Sequence, residues 1–154
     1  MEFDTWATPF SEGEIHIVDL HWGARDWWIE YADGKRYETK APFESENEAL
    51  LVSIFHRESE TVYLVTFEYP IAFRLLDEHG LVEVWAEKQT PANCLKVKGH
   101  GWSKESAISF AMGEDGWSHI IATGDECVEV VCSASPKVEL KERLKAKITK
   151  GGRE

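Results

Sequence analysis

The stretch Ala49 to Glu87, ALLVSIFHRESETVYLVTFEYPIAFRLLDEHGLVEVWAE, constrains the fold more than any other part of the chain. Two apolar runs flank a short charged turn. An acidic segment, Asp77–Glu78–His79–Gly80, and a cleanly alternating run follow. Leu50, Val52 and Ile54 oppose Leu51 and Phe55; Val62 and Leu64 oppose Tyr63, Val65 and Phe67. Strands apolar on both faces must be covered on both faces, by a second sheet or by helices. Glu68, Tyr69 and Pro70 end the pair, because proline has no donor for the ladder. Ile71 to Leu76 fits either a strand or one or two helical turns. Leu81 to Glu87 reads as a strand, with Val82, Val84 and Ala86 apolar and Glu83, Trp85 and Glu87 on the mixed side.

Around this centre the pattern is also mostly strand. Residues 1–13 read as an irregular lead-in. Glu14 to Trp22 reads as a strand with Ile15, Ile17 and Asp19 on one face and His16, Val18 and Leu20 on the other. Asp33-Gly34 between aromatic-rich runs signals a two-residue hairpin over Asp26–Lys40. That register puts Trp28, Glu30, Tyr37 and Thr39 on one face and Trp27, Ile29, Tyr31, Arg36 and Glu38 on the other. Ala41–Asn47 is turn-like, and Lys88–Gly101 loop-like around a short strand at Cys94–Lys98. Ser103 fits an N-cap for a helix to Met112, with Ala107, Ile108, Phe110 and Ala111 as its apolar face and Gly113 as its stop. His119–Cys132 reads as a second hairpin, with a type II′ turn at Gly124-Asp125 and Ile121, Val128, Val130 and Cys132 facing inward. Leu140, Leu144 and Ile148 have helical spacing, so residues 137–149 predict an amphipathic helix, with a strand over Val138 and Leu140 as the rival. The fold class expected is α+β: a mostly antiparallel sheet built from hairpins, with short helices at 103–112 and 137–149. Residues 1–136 form one domain in this reading, and 137–154 a basic helix or tail.

The charge limits the partners. The chain of 154 residues carries a net −11. From Lys137 onward seven basic residues meet three glutamates, net +4, which leaves −15 for the first 136 residues. Nucleic acid and anionic membrane both select cationic faces, so neither is expected as a partner, whereas a basic protein is. No apolar run approaches the roughly 18 residues of a membrane helix. The start, MEFDTWATPF, lacks the charged and apolar regions of a signal peptide. Cys94, Cys127 and Cys132 are odd in number and form no CxxC pair, which favours reduced thiols. The expectation is a cytoplasmic protein.

No motif carries specific chemistry. The chain has no GxSxG, SxxK, HExxH, P-loop or dinucleotide fingerprint, so no cofactor or metal is expected. Asp77, Glu78, His79 and His100 are the candidates for an acid–base cluster, if the fold gathers them into one cleft. The bland alternative is a solvated turn, and twenty-eight carboxylates in the chain make chance neighbours common. The seven tryptophans are more telling. Core packing explains most of them, but Trp22, Trp27, Trp28 and Trp102 adjoin polar or turn residues. Tryptophan offers large contact area at low entropy cost, and binding hot spots favour it. The candidate partner-binding set is therefore Trp22, Trp27, Trp28, Asp77, Glu78, His79, Glu83, Trp85, His100 and Trp102. A ring or sugar stacked on Trp27, Trp28, Trp85 or Trp102 is the small-ligand alternative.

This profile of small size, acidity, scattered tryptophan, sheet-rich pattern and no catalytic signature resembles that of small acidic bacterial toxin-immunity proteins. The local likeness is Trp22-Gly-Ala-Arg-Asp-Trp-Trp ahead of the Ala49–Glu68 strand pair, which is similar to the start of one group of contact-dependent inhibition immunity proteins. The resemblance implies an α+β inhibitor whose acidic, tryptophan-containing surface occludes a basic toxin domain such as a nuclease.

Overall fold

The computed structural model describes residues 1–23, 27–40, 48–77, 79–88 and 90–144. Along these residues run β1 (Glu2–Thr5), β2 (Ile15–Gly23), β3 (Trp27–Glu30), β4 (Arg36–Thr39), β5 (Ala49–His56), β6 (Thr61–Glu68) and β7 (Pro70–Asp77). Then come α1 (Val82–Glu87), β8 (Cys94–Lys98), α2 (Gly101–Glu105), α3 (Ala107–Met112), β9 (Ser118–Ala122), β10 (Glu126–Cys132) and β11 (Lys137–Arg143). Every strand pairing is antiparallel. The α+β, sheet-dominated expectation holds.

The strands make one sheet of order β1-β8-β9-β10-β7, a second of order β11-β6-β5-β2, and a separate β3-β4 ribbon. The two large sheets share a core. Leu50, Val52, Ile54, Val65 and Phe67 from one meet Cys94, Ile121, Val128, Val130 and Cys132 from the other. The far side of the five-stranded sheet carries Leu95, Val97, Ile120 and Cys127, packed with Leu81 and Val84 at the start of α1. The five-stranded sheet is thus covered on both faces. β5 and β6, from whose double-sided apolarity such covering was expected, lie in the other sheet and join this core through one face, while Val62 and Leu64 on the other face of β6 are only half-buried. Cys127 and Cys132 lie in different clusters, as their odd separation predicts.

Several local readings change. The segment Leu81–Glu87 is a helix, not a strand: Leu81 and Val84 are buried, Trp85 packs beside them, and Val82 is exposed. Spacings of three and four suit a short helix lying on a sheet as well as alternation suits a strand, and the empty face of the five-stranded sheet decides between them. Residues 137–143 form strand β11 on β6 rather than a helix, so the rival reading holds there, and 145–149 lie outside the described residues. Glu2–Thr5 pairs with β8, so the lead-in is partly strand. A bulge at Val18 moves Leu20 onto the side of Ile15 and Ile17, against the simple alternation. The helix expected over 103–112 breaks at Ser106 into α2 and α3; Phe110 is buried, but Ile108 is 81% exposed. The β9–β10 loop has two residues as expected, yet Gly124 does not take the positive φ of a type II′ turn. The Thr123 hydroxyl accepts the Asp125 and Glu126 N–H groups there instead. The turn read over 41–47 lies outside the described residues.

Candidate functional site

The β3–β4 ribbon departs from its expected register by one residue. Trp27 pairs with Thr39, Trp28 with Glu38, Ile29 with Tyr37 and Glu30 with Arg36. Tyr31 then faces Lys35, and Ala32-Asp33-Gly34 forms a three-residue loop closed by the Gly34 N–H donating to the Tyr31 carbonyl, 2.9 Å. Gly34 takes φ +86°, the left-handed position that this loop needs. A one-residue slip exchanges the faces of one strand relative to the other. Trp27, Ile29, Tyr31 and Tyr37 consequently share a face, with Trp27 and Tyr37 in edge contact at 6.5 Å between ring centroids. The opposite face is polar: the Arg36 guanidinium lies 4.3 Å from the Trp28 ring and pairs with Glu38 at 3.4 Å.

The aromatic face is open. Trp27 is 52% exposed, Ile29 40%, and Tyr31 and Tyr37 56% each. Among the described residues, the ribbon joins neither large sheet by strand pairing. A lone two-stranded hairpin is marginal in water, so one that keeps four large apolar groups on a single exposed face is poorly explained by the free chain. Trp22, just before it in sequence at the end of β2, is half-exposed and meets Phe73 edge-on at 5.7 Å.

The other expected site residues fall elsewhere. Asp77 and His79 are exposed at the end of β7, where the Asp77 carboxylate accepts the His79 N–H at 3.0 Å. Glu78 lies outside the described residues. His100 is enclosed, only 1% exposed. The described members, Asp77, His79 and His100, are therefore split between surface and interior and share no cleft. Glu83, His100 and Trp102 do come together: both Glu83 carboxylate oxygens accept the Gly101 N–H, at 3.0 and 3.1 Å. Trp102 sits between the Arg74 guanidinium, at 4.4 Å, and the Phe110 ring, at 5.2 Å. Trp85 is half-buried, with the Lys88 ammonium 5.2 Å from its ring. The cations over Trp85 and Trp102 already cover part of the surface a stacked ligand would need. Trp22 and Trp102 lean on successive β7 residues, Phe73 and Arg74, and so stand on opposite faces of that sheet.

Beneath Trp102 lies a polar network that sequence reasoning missed. Glu129 on β10 is 1% exposed. It accepts from Arg74 through two nitrogens at 3.0 and 2.8 Å, pairs with His100 Nε2 at 2.6 Å, and accepts from the Ser118 hydroxyl at 2.6 Å. Burial pushes the Glu129 carboxyl up, but the His100 and Ser118 hydrogen bonds and the His100 and Arg74 charges outweigh it and hold the group below its ordinary range. The one signal in sequence was a glutamate inside the run CVEVVC, where alternation places it with Cys127 and Val131. Glu129 is fully partnered and closed to solvent, although the buried Nδ1 of His100 has no hydrogen-bond partner among the described residues; the closure suits holding α2 on the sheet better than chemistry. Among the described residues, no group of three or more His, Cys, Asp or Glu side chains is placed to hold a metal. No helix among them is long and apolar enough to cross a membrane.

No family model, no curated protein and no solved structure matches this chain.

Proposed function

We propose that this chain is a protein-binding inhibitor of the immunity type, which docks the aromatic face of the β3–β4 ribbon on a basic protein domain, such as a toxin nuclease, and occludes it. The observation that carries this reading is the unpaired ribbon with Trp27, Ile29, Tyr31 and Tyr37 open on one face. Large rigid aromatic groups supply most of the binding energy at protein interfaces, because they bury much area while losing few rotamers. The ribbon itself is nearly charge-balanced, so its contact is apolar. The net −11 of the chain supplies the long-range attraction that selects a basic partner and speeds encounter. Covering the ribbon also removes the physical oddity of an exposed apolar hairpin.

The test pairs the wild type with a Trp27→Ala/Tyr37→Ala variant in binding and inhibition assays against basic toxin nuclease domains, including any encoded by a gene adjacent to that of this chain. Tight binding that blocks the domain's activity and is lost in the variant supports the proposal. Equal binding by the variant, an acidic partner, or the lack of any tight partner overturns it. So does dimerisation of the chain that the variant abolishes, since the ribbon face would then be self-covering.

A further inference from the structure

At the opposite end of β5 from the ribbon, a cavity of about 680 Å³ opens beside the β5–β6 turn. Trp6, Thr8, Glu12, His56, Glu58 and Ser59 are among its lining residues. That volume falls in the range of small-molecule sites, about 300–1,000 Å³.

Two of these side chains are arranged for chemistry. His56 Nε2 lies 2.9 Å from the Glu12 main-chain carbonyl. A carbonyl can only accept, so Nε2 carries the proton. In the neutral ring Nδ1 is then an acceptor, and it lies 2.7 Å from the Ser59 hydroxyl. The hydroxyl thus points its proton at a basic nitrogen whose ring is oriented by a third group. Nucleophile, base and orienter within hydrogen-bond reach of one another are the general signature of an activated hydroxyl. Gly13, at φ +90°, follows Glu12 and provides the left-handed turn that a side-chain-bearing residue adopts only with strain. A Cβ at Gly13 would stand 3.4 Å from both His56 Nε2 and a Glu58 carboxylate oxygen, so this glycine also leaves room around the ring. His56 is 7% exposed, whereas Ser59 is only partly buried and lines the cavity. The main-chain N–H groups of Glu58 and Ser59 make no hydrogen bond among the described residues, which leaves them available to a developing oxyanion.

We propose that Ser59 and His56 form a nucleophile–base pair that hydrolyses small carboxylic esters bound in this cavity. Ser59 Oγ bonds to the acyl carbon while its proton passes to His56 Nδ1. The ester C–O bond breaks, and Nδ1 returns that proton to the leaving alcohol. Water then bonds to the acyl carbon and gives a proton to Nδ1. The bond from the acyl carbon to Ser59 Oγ breaks, Oγ takes the proton, and the free acid leaves. Glu12 and Glu58 line the cavity, and among the described residues no Lys or Arg lines it, so the site selects neutral or cationic esters over anionic ones.

The full chain is treated with a fluorophosphonate probe and with neutral, cationic and anionic nitrophenyl esters. One adduct per chain, mapped to Ser59 and lost in Ser59→Ala, supports the proposal. His56→Gln should slow modification on the order of 100-fold. Hydrolysis of the neutral and cationic esters should exceed that of the anionic one by about 10-fold. No adduct on the wild type, an adduct at another residue, or undiminished labelling of Ser59→Ala overturns it. The Ser59→Cys variant gives a second reading that does not depend on Ser59→Ala folding. Its new thiol should react with iodoacetamide about 10-fold faster with His56 present than with His56→Gln, and equal rates overturn the proposal.

Discussion

Replacing Glu129 by Gln tests whether the buried network holds the helical layer to the sheet. Glutamine has nearly the same shape, so no cavity opens and the change is electrostatic. It removes the charge that faces Arg74 and His100, and it turns one acceptor oxygen into a donor. The wild-type carboxylate meets four donors at 2.6 to 3.0 Å. Breaking a buried charge pair by neutralising one partner costs about 3–5 kcal/mol, mostly from leaving the other charge desolvated. Arg74 is 28% exposed at its side chain and can turn partly to water, which places the expected loss near 3 kcal/mol. A chain of this size has about 5–15 kcal/mol in all. The melting temperature should fall by roughly 6–12 °C, at about 2–4 °C per kcal/mol for this length. Urea titration followed by circular dichroism measures the loss, and an Arg74→Met/Glu129→Gln cycle should show coupling on the order of 2 kcal/mol. The acid limb gives an independent check. Because the Glu129 carboxyl is held low in the folded state, its contribution is complete above the ordinary carboxylate range and is lost as pH falls through the lowered folded value. The gap between wild type and variant should therefore close on acidification. A loss under about 1 kcal/mol, strict additivity in the cycle, or a gap that does not close with acid would refute the reasoning.

Trp27→Ala and Tyr37→Ala should each leave stability within about 0.5 kcal/mol, as exposed groups do, yet weaken partner binding by about 2 kcal/mol or more, read by calorimetry. His119, wedged 4.9 Å from the Trp6 ring, is pushed down to about 4 by burial and by the Lys96 charge. The unfolded chain binds this proton first as pH falls from 6.5, so stability should drop by on the order of 3 kcal/mol down to about pH 4; His119→Phe should flatten that part of the pH profile of denaturant midpoints. Burial pushes the Cys94 thiol up to about 12 and those of Cys127 and Cys132 to about 11, so a thiol reagent at pH 8 should titrate them at the rate of unfolding rather than at once. Gly80→Ala would set a Cβ 2.5 Å from Leu76 Cβ and should cost about 1–3 kcal/mol of stability by thermal melting.

The core strands were legible because their chemistry is local. Leu50, Val52, Ile54, Val65 and Phe67 alternate cleanly, and the two-residue loop at Gly124-Asp125 fixes the β9–β10 register. The ribbon was legible as a hairpin but not in its register. Asp33-Gly34 fits a two-residue loop and the end of a three-residue loop equally well, and a single residue of difference decides whether Trp27 faces Tyr37 or opposes it. The candidate docking face could therefore be named residue by residue only after pairing was known. Helix α1 was misread because seven residues with apolar groups at Leu81, Val82, Val84, Trp85 and Ala86 satisfy both periods.

The sequence by itself determined that the chain is acidic, that its middle is double-sided strand, and that several tryptophans sit outside any obvious core pattern. Those properties follow from composition and from the two-residue period, and neither needs distant partners. The tertiary structure alone decided which groups meet: Glu129 with Arg74 and His100, His56 with Glu12, and Trp22 and Trp102 on opposite faces of one sheet. Such contacts join residues far apart in the chain, and strand order, which no local pattern encodes, brings them together.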